Sequence, residues 1–457
     1  MTKLTLEGIR VVDLTRAYAG TIGGLYWAYL GAELIKVEAI QRPDMPTRMM
    51  NYAENDPGEE YWNRAGYFHR LNLGKLGITL DLTHPKGVEV FKRLVKMSDV
   101  VADNYSPRTM KQLGLDYEVL KEINPGIIMV SMSGFGAYGP RKDWVAYNHI
   151  MEAAGLSSIT GYADGEHGAS ATAYGDWATG AAGAAAVLIA LHHRHRTGEG
   201  QFIDVSGREA MAVQLGEAIM DYTMNGRVWK PMGNRHSSMA PHNCYPCRGD
   251  DKWVAIAVGT EDQWESFCKL IGSPAWAMEE RFSDAFGRWQ HQADLDRLIA
   301  EWTGQRDHKE TAHILLEGGV PAAPVLNSKD IVTEPHLLER GFFQVIDHPI
   351  TGKRPFLNQI AARFSKTGVA SVRPAPRLGE HNELVLRDLL GMSSEEIALL
   401  EDEQVIGSVP VRRTGQQPVP APFDLMKKAG IEIDDDYLKR LSEVYGEPMG
   451  PPAKQAV

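Results

Sequence analysis

Chemistry in this chain starts most naturally at Asp176. It stands in Tyr174-Gly175-Asp176-Trp177, directly ahead of the small-residue run Ala178 to Ala186. A carboxylate at the head of a helix has two uses. As an N-cap it accepts hydrogen bonds from the first unpaired amides, worth about 1 kcal/mol, and the helix dipole favours its charged form by about 0.3–1 kcal/mol. Alternatively, with Gly175 and Gly180 leaving room for a ligand, the ionised acid is a nucleophile. The local residues favour the cap, because that reading needs no chemistry.

Two other clusters invite a metal. Cys244-Tyr245-Pro246-Cys247 has the spacing of half a zinc site, but the chain holds only three cysteines, so a second pair is missing. The pair precedes Arg248-Gly249-Asp250-Asp251 and the run Trp253 to Val258, which predicts a strand entering a hairpin. His192, His193, Arg194, His195 and Arg196 end the helix that Asp176 begins. Positive groups in a last turn complement the dipole without any ligand, so no metal is expected there.

The elements that must position Asp176 follow from periodicity. Val11–Leu14, Glu33–Val37, Asp99–Ala102, Ile127–Ser131 and Gln201–Val205 read as strands. Pro85–Lys96 places Val88, Val90, Phe91, Leu94 and Val95 near helical spacing. This alternation predicts a parallel sheet covered by helices. A helix is expected over Arg208–Asn225, followed by a linker rich in Gly, Pro, Asn and Ser and then a second domain with helices at Gln263–Ile271 and Lys309–Glu317. Ser393-Ser394 ahead of Glu395 and Glu396 reads as a helix start. Beyond about Ser408 a mobile connector, one short helix and a disordered tip are expected.

The 48 Lys and Arg residues are outnumbered by 59 Asp and Glu, giving a net charge of -11 with no basic, aromatic-interleaved stretch, so nucleic acid is an unsuitable partner. The N-terminus has no signal-peptide pattern and no run reaches a membrane-spanning length. A soluble cytoplasmic protein is expected.

The segments VVDLTRAYAG, GAELIKVE, NLGKLGITLDL, SDVVADNYSPRTMKQLGL, NPGIIMVSMSGFGAYGP, GDWATG, RTGEGQFIDVS, GVPAAPV and PAPRLGEH together resemble the family III CoA-transferases. They stand in family order from about residue 7 to residue 407, and it is their number and order that make the resemblance specific. It implies an α/β fold: a Rossmann-like large domain over 1–225 and 331–407, a smaller inserted α+β domain over 226–330, and a C-terminal extension over 408–457. It also implies an interlocked dimer of ring-like chains, or a heteromer with a related subunit. By the same resemblance Asp176 is the nucleophile, coenzyme A enters as acyl-CoA substrate, and a carboxylic acid is the acceptor. No metal is implied.

Residue by residue, the resemblance implies that Arg42, Lys75, Asn104 and Tyr105 receive the CoA. The chain departs from the family with Leu76 after Lys75 and with Ser106-Pro107-Arg108, so Arg108 or Lys111 would take over phosphate contacts. Tyr18 stands where the formyl-CoA transferase branch has Gln near the acyl group, which suits a larger or more apolar acyl chain. Gly233 and Asn234 would form a lid over the site. Two alternatives stay open. The α-methylacyl-CoA racemases of this fold use His then Asp where this chain has Tyr147-Asn148, with His149 one position on, and a catalytically silent partner subunit would need no nucleophile at all.

Overall fold

The computed structural model describes residues 4–162, 168, 172–370, 372–411 and 431–452. Six strands form one wholly parallel sheet: β1 (Arg10–Asp13), β2 (Glu33–Glu38), β3 (Leu76–Thr79), β4 (Val100–Asp103), β5 (Ile128–Ser133) and β6 (Phe202–Ser206). Their order is β3-β2-β1-β4-β5-β6. The chain therefore runs outward from β1 in one direction, then returns past it to β4 and continues in the other. Strand order reverses between β1 and β4, and in open parallel sheets ligands bind beyond the carboxyl ends of the strands at such a reversal.

Every residue of β4 and β5 is buried, as strands covered on both faces require. One face packs Val90, Phe91, Leu94 and Val95 of the helix Pro85–Lys96 against Val12, Ile35 and Met129. The other packs Trp27, Ala184, Val187 and Ala190 against Val11, Val130 and Met132. The strand β3, preceded by Gly74 and interrupted by Gly77 in NLGKLGITLDL, has too short and too broken a pattern to be read as a strand from periodicity.

The helix Tyr174–Thr197 packs along the helix Ala19–Tyr29 and over β5. Its glycines are there for that approach. A Cβ at Gly180 would lie 2.5 Å from the carbonyl oxygen of Ala19, and one at Gly183 would lie 2.4 Å from Met132 Sδ. At its far end Arg194 donates to the Asp99 carboxylate at 2.7 Å, so the cationic last turn is tied to the sheet.

By contact density the described chain divides into two compact units. The first runs to Leu156, resumes through the helix Tyr174–Thr197 to Met220, and returns from Pro335 onward. The second holds Asp221–Glu334 with a stretch that begins at Ser157. Its core gathers Tyr245, Val254, Phe267, Phe282, Leu295 and Leu315 around an antiparallel sheet of β7 (His242–Pro246), β8 (Trp253–Ala257) and β9 (Ala322–Pro324). Cys244 sits in β7, paired with Ala255 of β8, and all three cysteines are free thiols. In the first unit β10 (Phe343–His348) and β11 (Gly352–Leu357) form a separate hairpin.

The single helix expected over Arg208–Asn225 is broken. Helices Gly207–Ala212 and Gly216–Asn225 are separated by a 3-10 turn at Val213–Leu215, with Gly216, a weak helix former, at the junction. Ser393 caps Ser394–Asp402 through a reciprocal box with Glu396. The short helix of the C-terminal extension is Tyr437–Tyr445, whereas the expected connector falls largely, and the expected tip mainly, outside the described residues. Among the described residues no helix is long and apolar enough to cross a membrane.

Candidate active site

A cavity of about 610 Å³ opens at the carboxyl ends of β1, β4 and β5. The loop after β1 contributes Arg16, Ala17 and Tyr18, the loop after β4 contributes Asn104 and Tyr105, and the end of β5 contributes Ser133 and Gly134. Asp176 enters from the head of the helix Tyr174–Thr197, and Tyr147, Asn148 and His149 enter from the helix Asn148–Ala153 and its cap. The sheet reversal thus gathers residues up to 160 positions apart around one carboxylate.

Asp176 is not the N-cap of its helix. The cap position is Ala173, and Asp176 lies in the first turn with no capping bond of its own. The capping is done from outside: Asn148 Oδ1 accepts from the amides of Gly175 at 2.8 Å and Asp176 at 3.3 Å. Asn148 also donates through Nδ2 to Glu152 Oε1 at 2.8 Å, one helical turn along. Asn148 and Glu152 are both buried. Because another residue's oxygen takes the amides, the Asp176 carboxylate is left to face the cavity.

Its electrostatics differ from the dipole-stabilised anion expected of a cap. Burial, and after it the Glu152 carboxylate, push the Asp176 carboxyl up to about 6, with His149 opposing. No Lys or Arg among the described residues offsets them. Near neutral pH the acid is ionised yet poorly solvated, which is the condition of a reactive carboxylate. Tyr18 stands close enough that burial, the neighbouring Tyr67 and the Asp176 charge all hold its phenol above the ordinary tyrosine range. The rings of Tyr18 and Tyr67 meet edge to face at 5.7 Å.

The loop that carries Tyr18 is held from two sides. Asn104 accepts from the Arg16 amide at 2.8 Å and donates to the Arg16 carbonyl at 2.7 Å. Asp44 accepts from the Ala17 amide at 3.0 Å and 3.2 Å, fixing Ala17 at φ 54, a conformation that costs energy for any residue with a side chain. Asn104 therefore lines the cavity, but its side-chain amide is spent on the loop. Asp44 is itself fully buried beside Lys36, at 3.8 Å.

The other sequence-predicted residues separate. Lys75 is fully buried and bonds Asp13 Oδ2 at 2.8 Å, and burial first among its causes lowers its ammonium to about 8. As placed, it serves a charge pair inside the sheet rather than a surface loop. Arg42 and Lys111 are exposed and do not line the cavity. Arg108 is exposed too, with Nε 3.0 Å from Asp143 Oδ1. Tyr105 lines the cavity and packs against the main core. Gly233 and Asn234 belong to the second unit, where the Gly233 amide donates to the Gly161 carbonyl at 2.8 Å and Asn234 edges a groove with His242 and Cys244. Sequence reasoning missed Arg16, Tyr67, Ser133 and Glu152. Glu152 was open to discovery, since it lies four residues after Asn148 on one helix face, whereas nothing in the local sequence marks Ala17 for a positive φ.

The arrangement is a buried acid with no Lys or Arg partner among the described residues, at the carboxyl edge of a parallel sheet. The profile of CoA-transferase family III matches residues 6–382. The succinyl-CoA–D-citramalate CoA-transferase of Chloroflexus aurantiacus is 33% identical over 402 residues, 88% of this chain and 98% of that protein. The succinate–glutarate CoA-transferase of Agrobacterium fabrum is 33% identical over 85% of this chain and 96% of its own length. A CAIB/BAIF family protein from Brucella suis, solved by crystallography, superposes with a TM-score of 0.78 at 33% identity, over 85% of this chain and all of that one. By profile, relatives and fold alike, the chain belongs to the family III CoA-transferases and is an enzyme that moves CoA between an acyl-CoA and an acid.

Proposed function

We propose that Asp176 carries the transfer through covalent intermediates. Its carboxylate oxygen attacks the acyl carbon of the donor thioester; the carbon–sulfur bond breaks, leaving a mixed aspartyl anhydride and free CoA thiolate. The thiolate then attacks the aspartyl carbonyl and releases the donor acid, giving an aspartyl-CoA thioester. The acceptor carboxylate attacks that thioester to form a second anhydride, and the thiolate takes the acceptor acyl group and frees Asp176. Each step exchanges one acyl bond for another, so the thioester energy is conserved without ATP. The observation that carries this reading is the placement of Asp176 in the cavity, its helix-head amides taken by Asn148 and no Lys or Arg among the described residues offsetting its charge.

The relatives act on succinyl-CoA, D-citramalate, succinate and glutarate by name, which supports succinyl-CoA as donor and a short dicarboxylate as acceptor. Arg16, the one guanidinium lining the cavity among the described residues, is the group to meet a distal carboxylate. The exposed Arg42, Arg108 and Lys111 remain available to the CoA phosphates. The family's interlocked dimer is part of the proposal. Its support is the helix Gly216–Asn225, which buries no residue and exposes Ile219, Met220, Tyr222 and Met224. A heteromer is the other arrangement to test, since one relative is the beta subunit of succinyl-CoA–L-malate CoA-transferase.

A second reading, α-proton transfer, draws on His149, which lines the same cavity. The side chain of Asn148, in contrast, is engaged at both its oxygen and its nitrogen, by the helix head and by Glu152. One experiment separates the two. Incubation with succinyl-CoA followed by hydroxylamine should mark the Asp176 peptide by mass, and not in D176A. No mark, with α-deuterium exchange that depends on His149, would replace transfer by racemisation.

A further inference from the structure

We infer that Ser133 is a ligand-binding residue of this site, its hydroxyl donating a hydrogen bond to the thioester oxygen of an acyl-CoA presented to Asp176. The inference rests on the nucleophile reading of Asp176 for the identity of that oxygen. It stands on four observations. Ser133 lines the cavity that contains Asp176. It is 7% exposed, and its Oγ has no hydrogen-bond partner, although buried hydroxyls are almost always paired. Among the described residues it is the one cavity-lining residue in that condition.

The third observation explains the second. Side chains alternate along β5: Val130 and Met132 face the helix Tyr174–Thr197, and Met129, Ser131 and Ser133 face the other way. Ser131 lies opposite Asp103 of β4 and donates to its carboxylate at 3.1 Å. There β4 ends, so Ser133, two residues on, has no strand neighbour on that side. On its other side lies Ser206 of β6, whose hydroxyl accepts from the Glu209 amide. The hydroxyl of Ser133 therefore projects past the sheet edge, and one rotatable bond orients it toward whatever the cavity holds.

The fourth observation concerns the reaction. Attack on a thioester develops negative charge on its oxygen, which a preorganised donor must meet. The amides at the head of the Asp176 helix are the obvious candidates, but those of Gly175 and Asp176 are taken by Asn148 Oδ1, and that of Trp177 by the Ala173 carbonyl. The donor must come from elsewhere, and Ser133 is a donor without an acceptor.

The test uses the full chain. S133A should lower kcat/KM for transfer from succinyl-CoA to glutarate by about 100-fold, while S133T, which keeps the hydroxyl, should stay within about tenfold of wild type. Because no protein bond is lost, the melting temperature of ligand-free S133A should equal or exceed that of wild type. Succinyl-CoA titrated into D176A and D176A/S133A should bind about three- to tenfold more weakly to the second. The hydroxylamine-trapped adduct judges Asp176 separately. If wild type forms the adduct, a kcat/KM of S133A within about twofold of wild type overturns the inference, as does a loss accompanied by a lower melting temperature that S133T does not restore. If wild type forms none, the nucleophile reading falls, and equal succinyl-CoA affinity in the two D176A variants overturns the Ser133 inference as well.

Discussion

Asp176 should cost the folded protein stability, and removing its charge should recover it. Its carboxyl is pushed from the ordinary 3.8 to about 6, by burial first and Glu152 second. The folded state therefore holds its proton more tightly than the unfolded chain. This group's contribution is most favourable below the unfolded value and is lost as pH rises through the folded one. The distance from 3.8 to about 6 corresponds to about 3 kcal/mol when both states are ionised. Partial exposure of the side chain reduces that to about 1–2 kcal/mol. Asp176→Asn keeps the shape and abolishes the charge, so at pH 8 it should be more stable than wild type by about that amount. At pH 5 the wild-type acid is protonated when folded, and the gain should shrink to about half. Urea unfolding at both pH values, at one fixed protein concentration, measures this. An Asn variant no more stable than wild type at pH 8, or a gain that does not fall at pH 5, would refute the argument that Asp176 is held as a strained anion.

Glu152→Gln removes the neighbouring negative charge, so the Asp176 carboxyl should titrate lower, and the acid limb of kcat/KM should move down from about 6; an unmoved limb in a pH–rate profile would count against the pairing. Asn148→Ala leaves the amides of Gly175 and Asp176 uncapped and should cost about 1–2 kcal/mol in denaturant unfolding. Gly180→Ala drives a Cβ to 2.5 Å from the Ala19 carbonyl oxygen, where backbone must move, and should cost about 1–3 kcal/mol or more by the same assay. Lys75→Met leaves Asp13 buried without its 2.8 Å partner and should cost about 3–5 kcal/mol; a change confined to the KM for succinyl-CoA would instead return Lys75 to phosphate binding.

What the sequence determined by itself was everything that repeats locally or stands as a contiguous pattern. The buried runs of β4 and β5 and the apolar stripe of Pro85–Lys96 follow from side-chain period, because two-sided burial and one-sided burial leave different periodicities. Ser393 and Glu396 announced a helix start, because capping joins residues three apart. Asp176 was singled out from its place at the head of a small-residue helix, and the motif order then named the family.

Tertiary structure alone decided the state of that acid. Capping by Asn148 from 28 positions away, the Glu152 charge beside it and the Tyr18 loop clamped by Asn104 and Asp44 are contacts between distant segments, on which local residue preferences are silent. The same holds for Lys75, a lone positive charge in a turn whose burial and pairing with Asp13 appear only once the sheet is assembled. It holds for Ser133, which looks like any strand serine until β4 is seen to end two residues short of it. Periodicity reports which side of an element is buried; whether a buried group is paired depends on where the neighbouring element stops.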